Sequence, residues 1–74
     1  MPEDREIISI DKGADKAIKI KLTYWKDSPY IDIREYYLGE EEEYMPTKKG
    51  IRFSSDMIGD IINGLQEARH SIDS

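Results

Sequence analysis

The residues of this 74-residue chain that could do chemistry are lysines and aromatic side chains rather than the groups that enzymes use. The sequence has no cysteine, which excludes disulfides, thiolate nucleophiles and cysteine-ligated metals. Its single histidine, His70, is interpreted as an exposed helix residue, and no nucleophile is paired with a base. We therefore predict a protein that is not an enzyme, with no catalytic residue, no metal site and no cofactor.

Four consecutive glutamates, Glu40-Glu41-Glu42-Glu43, form the most concentrated charge in the sequence. A calcium loop needs oxygen ligands at alternate positions and a glycine at its sharp turn. This run has neither feature, so we interpret it as a solvated loop.

Residues 17–25 combine cations with an aromatic ring on one face of a predicted strand. Strict alternation places Ile18, Ile20, Leu22 and Tyr24 on one face and Lys19, Lys21, Thr23 and Trp25 on the other. Bases stack on an aromatic ring for about 1–3 kcal/mol each, while lysines neutralise neighbouring phosphates. The pattern is therefore typical of a platform for single-stranded nucleic acid. It is equally typical of an ordinary exposed face with Trp25 packed under a loop or at an interface.

The remaining pattern predicts one domain over residues 1–74, with an α+β fold of four strands and a C-terminal helix. Turn signals at residues 11–13 and 26–29 separate the first three strands. Apolar side chains recur at helical spacing from Met57 to Ile72. The expected strands cover about 6–10, 17–25, 30–38 and 50–53, with a loop over 39–49 and a helix over about 55–72.

The third strand contains a conflict between alternation and charge. Ile31 and Ile33 belong on the core side, and strict alternation would then bury Glu35. We hypothesise a β-bulge near Arg34-Glu35 that adds one residue to this strand and reverses the later positions. Tyr36 and Leu38 would then face inward, and Glu35 and Tyr37 outward.

The net charge of −5 argues at first against a nucleic-acid partner, because phosphate binding is mainly neutralisation by Lys and Arg. The positive charge is nevertheless confined to the middle of the chain. Residues 12–39 carry six basic groups against four acidic ones, and Lys48, Lys49 and Arg52 are unopposed within residues 44–55. A local cationic surface is compatible with the acidic total.

A chain this short buries only about 60% of its unfolded surface, so oligomerisation is the expected source of extra stability. The sequence has no apolar run of about 18 residues and no charged-then-apolar N-terminus, so we expect neither a membrane span nor a signal peptide. We expect a cytoplasmic, nucleoid-associated protein if the source is a prokaryote or phage, a nuclear one if it is a eukaryote, and no membrane partner.

Two motifs carry a resemblance to a known family: Ile31-Asp32-Ile33-Arg34-Glu35-Tyr36-Tyr37 and Pro46-Thr47-Lys48-Lys49-Gly50-Ile51. With their spacing, the sequence from about Lys16 through the helix resembles the positive cofactor four family of transcriptional coactivators and single-stranded DNA-binding proteins. The resemblance implies a curved antiparallel four-stranded sheet, one helix, and a homodimer that pairs through the helices and presents two grooves to single strands. The compact length resembles bacterial or phage members.

The resemblance and the alternation together give the candidate site residues. The expected DNA-binding residues are Lys16, Lys19, Lys21, Trp25, Lys26, Arg34, Tyr37, Lys48 and Lys49, of which Lys19 and Lys21 come from alternation alone. The expected dimer residues are Ile58, Ile61, Ile62 and Leu65. Four positions that are basic in the family pattern are not basic here, namely Ile18, Thr23, Ser28 and Met45.

The function predicted from these features is sequence-independent binding of single-stranded DNA by a homodimer, in transcription regulation, replication or repair. The transcription machinery is a further candidate partner. Two alternatives stay open: a protein-interaction module with the same fold and weak or no DNA affinity, and RNA binding, since stacking does not require a deoxyribose.

Overall fold

The computed structural model describes residues 3–73 as one antiparallel sheet followed by a helix. The strands are β1 (Arg5–Gly13), β2 (Lys16–Trp25), β3 (Ser28–Leu38) and β4 (Tyr44–Ser54), and they lie in the order β1-β2-β3-β4. A 3-10 turn (Ser55–Met57) leads into α1 (Ile58–Asp73). The predicted fold class, four antiparallel strands and one C-terminal helix, is confirmed.

Tight turns join the first three strands. Lys26 and Asp27 connect β2 to β3 with φ values of 51° and 64°. Two central residues with positive φ match the right-handed twist of the flanking strands, which is why such turns are favoured in hairpins. Strands β2 and β3 form ten consecutive pairs with no irregularity.

The uninterrupted β2–β3 register defines two faces of the sheet. The helix-side face carries Ile20 opposite Ile33 and Leu22 opposite Ile31, and α1 lies over it across a groove of about 270 Å³ with an entirely apolar lining. The open face carries, on β2 and β3, Lys19 opposite Arg34, Lys21 opposite Asp32, and Trp25 opposite Ser28. The alternation predicted for β2 is confirmed.

The bulge predicted in β3 is wrong, because the extra residues lie in β4. Arg34 pairs with Gly50 and Tyr36 pairs with Pro46, so three residues of β4 lie opposite the single residue Glu35 of β3. Alternation in β3 therefore continues unchanged. Glu35 and Tyr37 lie on the helix-side face, and Tyr36 and Leu38 lie on the open face, the reverse of the expectation.

The burial of Glu35 is possible because its charge is compensated. Its side chain is only 8% exposed, and it accepts a hydrogen bond from Lys12 Nζ at 2.6 Å with Lys49 Nζ at 3.8 Å. Buried charges are tolerated when they are paired and hydrogen-bonded. The sequence pattern alone could not reveal these two partners, since one lies on β1 and the other on β4.

Strand β4 begins at Tyr44, so the predicted loop over 39–49 shrinks to residues 39–43. Pro46 is tolerated because β4 is an edge strand, where a residue without an N–H need not interrupt a ladder. Gly50 allows β4 to approach β3 closely, since a Cβ there would lie 2.6 Å from the Ile33 carbonyl oxygen. The other edge strand, β1, has extra residues at Ile7 and Lys12, where its register with β2 shifts.

The interior of a single chain is small. Among residues 3–73, the buried apolar side chains are Ala17, Tyr36 and Phe53, and no large side chain is completely buried. On α1, Leu65 is 63% exposed and Ile62 is 49% exposed. The helix stripe is therefore left largely uncovered by its own sheet.

The helix begins three residues later than predicted, after the 3-10 turn. The Ser54 hydroxyl donates to the Asp56 carboxylate instead of capping a backbone N–H of this turn. None of the helices among residues 3–73 combines the length and apolar character needed to cross a membrane.

Candidate nucleic-acid interface

The ammonium groups of two lysines on the open face lie close to tyrosine rings. The ammonium of Lys19 lies 5.3 Å from the Tyr36 ring centroid and 5.5 Å from that of Tyr44, and the ammonium of Lys21 lies 5.1 Å from the Tyr36 ring. A hydrogen bond with Tyr36 raises the pKa of Lys21, and nearby Glu6 adds to the effect while partial burial opposes it. Both cations are therefore held in place, and Lys21 is firmly protonated.

The β2–β3 turn presents an aromatic ring and a cation together. Trp25 is 56% exposed at the end of β2, and the Lys26 ammonium lies 4.5 Å from its ring centroid. A cation over an indole face is favourable and fixes the lysine near the ring. An exposed ring with an adjacent ammonium can stack a base and neutralise its phosphate at the same time.

Arg34 is bound within the sheet rather than free for a ligand. Its Nε donates to Asp32 Oδ1 at 3.1 Å, and its Nη1 donates to the Thr47 carbonyl at 2.9 Å. Thr47 belongs to the β4 bulge and its hydroxyl donates to the Glu35 carbonyl at 2.8 Å. The geometry assigns Arg34 chiefly to holding the bulge against β3.

Sequence reasoning missed Arg52, which lies on the open face opposite Asp32. Its guanidinium carbon stands 4.6 Å from the Tyr30 ring centroid, towards the end of the sheet that carries Trp25. The alternation of Ile51, Arg52 and Phe53 is the signal that could have found it, because inward isoleucine and phenylalanine require an outward residue 52.

A second cationic group lies on the opposite face. Lys16 pairs with Tyr37 in the β2–β3 register, and Lys12 and Lys49 surround the Glu35 carboxylate. The hydrogen bond from Lys12 lowers the pKa of Glu35, with further help from the charges of Lys49 and Lys16 and against the effect of burial. Lys12 is the second residue that sequence reasoning missed, since it was interpreted as part of a turn.

Tyr37 has an acidic neighbourhood. A cavity of about 470 Å³ is lined by Tyr37, Met45 and three carboxylate residues, Glu40, Glu41 and Glu43. These charges oppose a phosphate close to this ring. Tyr37 is therefore a poorer place than Trp25 to stack a base of a charged strand.

The nine predicted site residues thus divide between two faces of one chain. Lys19, Lys21, Trp25 and Arg34 lie on the open face, with Lys26 at its turn; Lys16, Tyr37 and Lys49 lie on the helix-side face; Lys48 is exposed in the β4 bulge. Among residues 3–73, no three His, Asp or Glu side chains come together in a way that could hold a metal ion.

The open four-stranded antiparallel sheet followed by one C-terminal helix places the protein among the small α+β proteins. The family model described as Transcriptional Coactivator p15 (PC4) matches residues 12–63, which is more than half of the chain. The protein belongs to the PC4 family. A search of the curated proteins gives no match.

Solved structures of PC4 homologues share this fold. A PC4 homologue from Burkholderia pseudomallei superposes with a TM-score of 0.83 at 23% identity, covering 93% of each chain; its tetragonal crystal form gives the same TM-score at 24% identity, covering 90% of this chain and 98% of that one. The bacteriophage T5 homologue of the eukaryotic coactivator, implicated in recombination-dependent DNA replication, gives 0.63 at 22% identity, covering 96% of this chain and 77% of that one.

Proposed function

We propose that this protein is a homodimer that binds single-stranded DNA without sequence preference and acts in transcription regulation, replication or repair. The observation that carries the proposal is the exposed Trp25 ring beside Lys26, at the end of an open face where lysines stand over tyrosine rings. Membership of a coactivator family supports a role connected with nucleic acid.

Binding on the open face would combine stacking with charge neutralisation. Trp25 stacks bases of any identity, because every base has a π-face. Four cations of this face and its turn would neutralise phosphates in the complex: Lys19, Lys21, Lys26 and Arg52. If about four phosphates are neutralised, log K should fall against log salt with a slope of about −3 for a single strand.

A second copy of the chain is the proposed cover for the helix. Leu65 and Ile62 are among the exposed apolar residues of α1, and the groove between α1 and the sheet has no polar lining. Burying such surface stabilises by about 25 cal/mol per Å², and a chain of this size has few other sources of stability. The expected dimer residues Ile58, Ile61, Ile62 and Leu65 all line that groove.

Fluorescence of Trp25, the single tryptophan, tests the proposal directly. Titration with oligo-dT at low salt should quench its emission and raise the anisotropy of a labelled oligonucleotide, and both signals should weaken at higher salt. Emission and anisotropy that stay constant over a micromolar titration would remove the proposal. Competition between matched DNA and RNA oligomers would decide between the two nucleic acids.

The cavity beside Tyr37 favours a second candidate function. Its lining joins an aromatic ring and Met45 with three glutamates, which is the chemistry that a basic peptide with apolar anchors would require. A protein-interaction module would use this end of the sheet. Capture of a basic peptide that survives high salt, together with no oligonucleotide binding, would favour this function over the first.

A further inference from the structure

Three of the cations predicted from the sequence to bind DNA already hold a carboxylate of the same chain. The pairs are Lys19 with Glu6 at 2.8 Å, Arg34 with Asp32 at 3.1 Å, and Lys49 with Glu35 at 3.8 Å. A phosphate can gain the full attraction of such a cation only if the carboxylate moves aside. The three carboxylates differ in their freedom to do so.

The Asp32 and Glu35 side chains have little access to solvent, being 22% and 8% exposed. Both lie on β3, which pairs with β2 on one side and β4 on the other. Glu35 is also buried and held by Lys12 at 2.6 Å. A ligand that approaches from solvent therefore does not readily displace either carboxylate.

Glu6 is free to move. It lies on the edge strand β1, all of whose residues are exposed, and its own side chain is 42% exposed. The register between β1 and β2 shifts directly after it, at Ile7. A rotation of the Glu6 side chain into solvent therefore leaves the ladder intact.

Lys19, in contrast, has contacts that do not depend on Glu6. Its side chain is 17% exposed, and its ammonium lies between 5 and 6 Å from two ring centroids, at 5.3 Å for Tyr36 and 5.5 Å for Tyr44. Lys21, directly opposite Glu6 in the register, also feels the Glu6 charge. Departure of one carboxylate thus releases a preformed position for an anion beside two fixed cations.

We propose that Glu6 sets the affinity of this interface by occupying, in the free protein, the position on Lys19 that a backbone phosphate of the bound strand takes. The inference rests on the proposed single-strand binding. Binding is then an exchange of one anion for another at Lys19, and Glu6 lowers the affinity for every phosphate that approaches Lys19 or Lys21.

The test compares Glu6→Gln with Asp73→Asn, two isosteric changes that each remove one negative charge. Asp73 is the last residue of α1, the helix that lines the groove on the helix-side face, whereas Lys19 is on the open face. Glu6→Gln removes a negative charge that would lie about 5–6 Å from the bound phosphate. This change should tighten binding of oligo-dT about three- to tenfold at low salt, with a smaller gain at high salt. The control should bind like the wild type. Glu6→Thr, which suits an edge strand, serves as a second variant.

The outcomes separate this inference from the proposed function. Tighter binding by Glu6→Gln alone, with a change in the Glu6 carboxyl ¹³C shift when wild type is saturated with oligo-dT, supports the exchange. A folded Glu6→Gln or Glu6→Thr protein that binds oligo-dT like the wild type, or more weakly, overturns it. An equal gain in Asp73→Asn also overturns it, because the effect would then be one of net charge. A wild type that binds no oligo-dT overturns the proposed function and this inference together.

Discussion

The two faces of the sheet differ in whether a single chain supplies contacts for their side chains. On the open face, cations meet carboxylates or rings of the same chain, as in the Lys19–Glu6 and Arg34–Asp32 pairs. On the helix-side face, isoleucines and the helix stripe enclose a groove that the chain leaves unfilled. The open face therefore pairs its charges within one chain, whereas the helix-side face leaves apolar surface that, under the proposed function, a second copy covers.

The largest effect is expected from charging the helix. Leu65→Asp would place a carboxylate in the apolar groove, where an unpaired charge costs several kcal/mol. We expect loss of the dimer and of most folded structure, measured by sedimentation and circular dichroism. Gln66→Asp is the control, because it adds the same charge at the next residue, outside that groove. This variant should keep the dimer and the folded structure. A wild type that sediments as a stable folded monomer would contradict the need for a cover.

The next effect should separate the two aromatic candidates. Trp25→Ala should weaken oligo-dT binding by about 1–3 kcal/mol, the value of one stacked base, without changing the thermal unfolding of the protein. Tyr37→Ala should weaken it much less, because three glutamates line the cavity beside that ring. The measurement is anisotropy of a labelled oligonucleotide. A larger loss for Tyr37→Ala would move the binding site to the helix-side face.

The smallest effect concerns the buried carboxylate and depends on pH. Lys12 lowers the pKa of Glu35 in the folded protein. Ionised Glu35 therefore stabilises the fold at pH values above the ordinary glutamate pKa of about 4.5, and this contribution is lost as the pH falls through the lower pKa of the folded state. Glu35→Gln should reduce the free energy of unfolding at neutral pH. The difference from wild type should shrink in acid, as followed by urea denaturation at several pH values. A difference that is constant with pH would exclude the ion pair as its cause.

The sequence predicted what depends on local periodicity. The alternation in β2 placed Lys19, Lys21 and Trp25 on one face, and the helical spacing from Met57 found α1. The position of the bulge was not predictable, because a bulge in β3 and a buried Glu35 with cationic partners on other strands are both consistent with the pattern around Glu35. Only the cross-strand pairing decides, and it reversed the orientation of Tyr37.

The dependence on cross-strand pairing also explains why the sequence did not reveal Lys12 and Arg52. Lys12 lies 23 positions from Glu35 in sequence, and the two side chains meet across β2. Arg52 contacts the ring of Tyr30, which belongs to the neighbouring strand. Contacts of this kind depend on register, whereas turn and period signals describe only a few adjacent residues.

The interruptions of both edge strands bear on aggregation. A regular edge offers a row of unpaired backbone groups to which strands of other molecules can add. Here β1 carries extra residues at Ile7 and Lys12, and β4 carries Pro46 and the adjacent bulge. These irregularities disfavour growth of the sheet from either side, even though β1 is rich in isoleucine. Edges of this kind suit the proposed homodimer, a closed pair, better than assembly through continuous β-ladders.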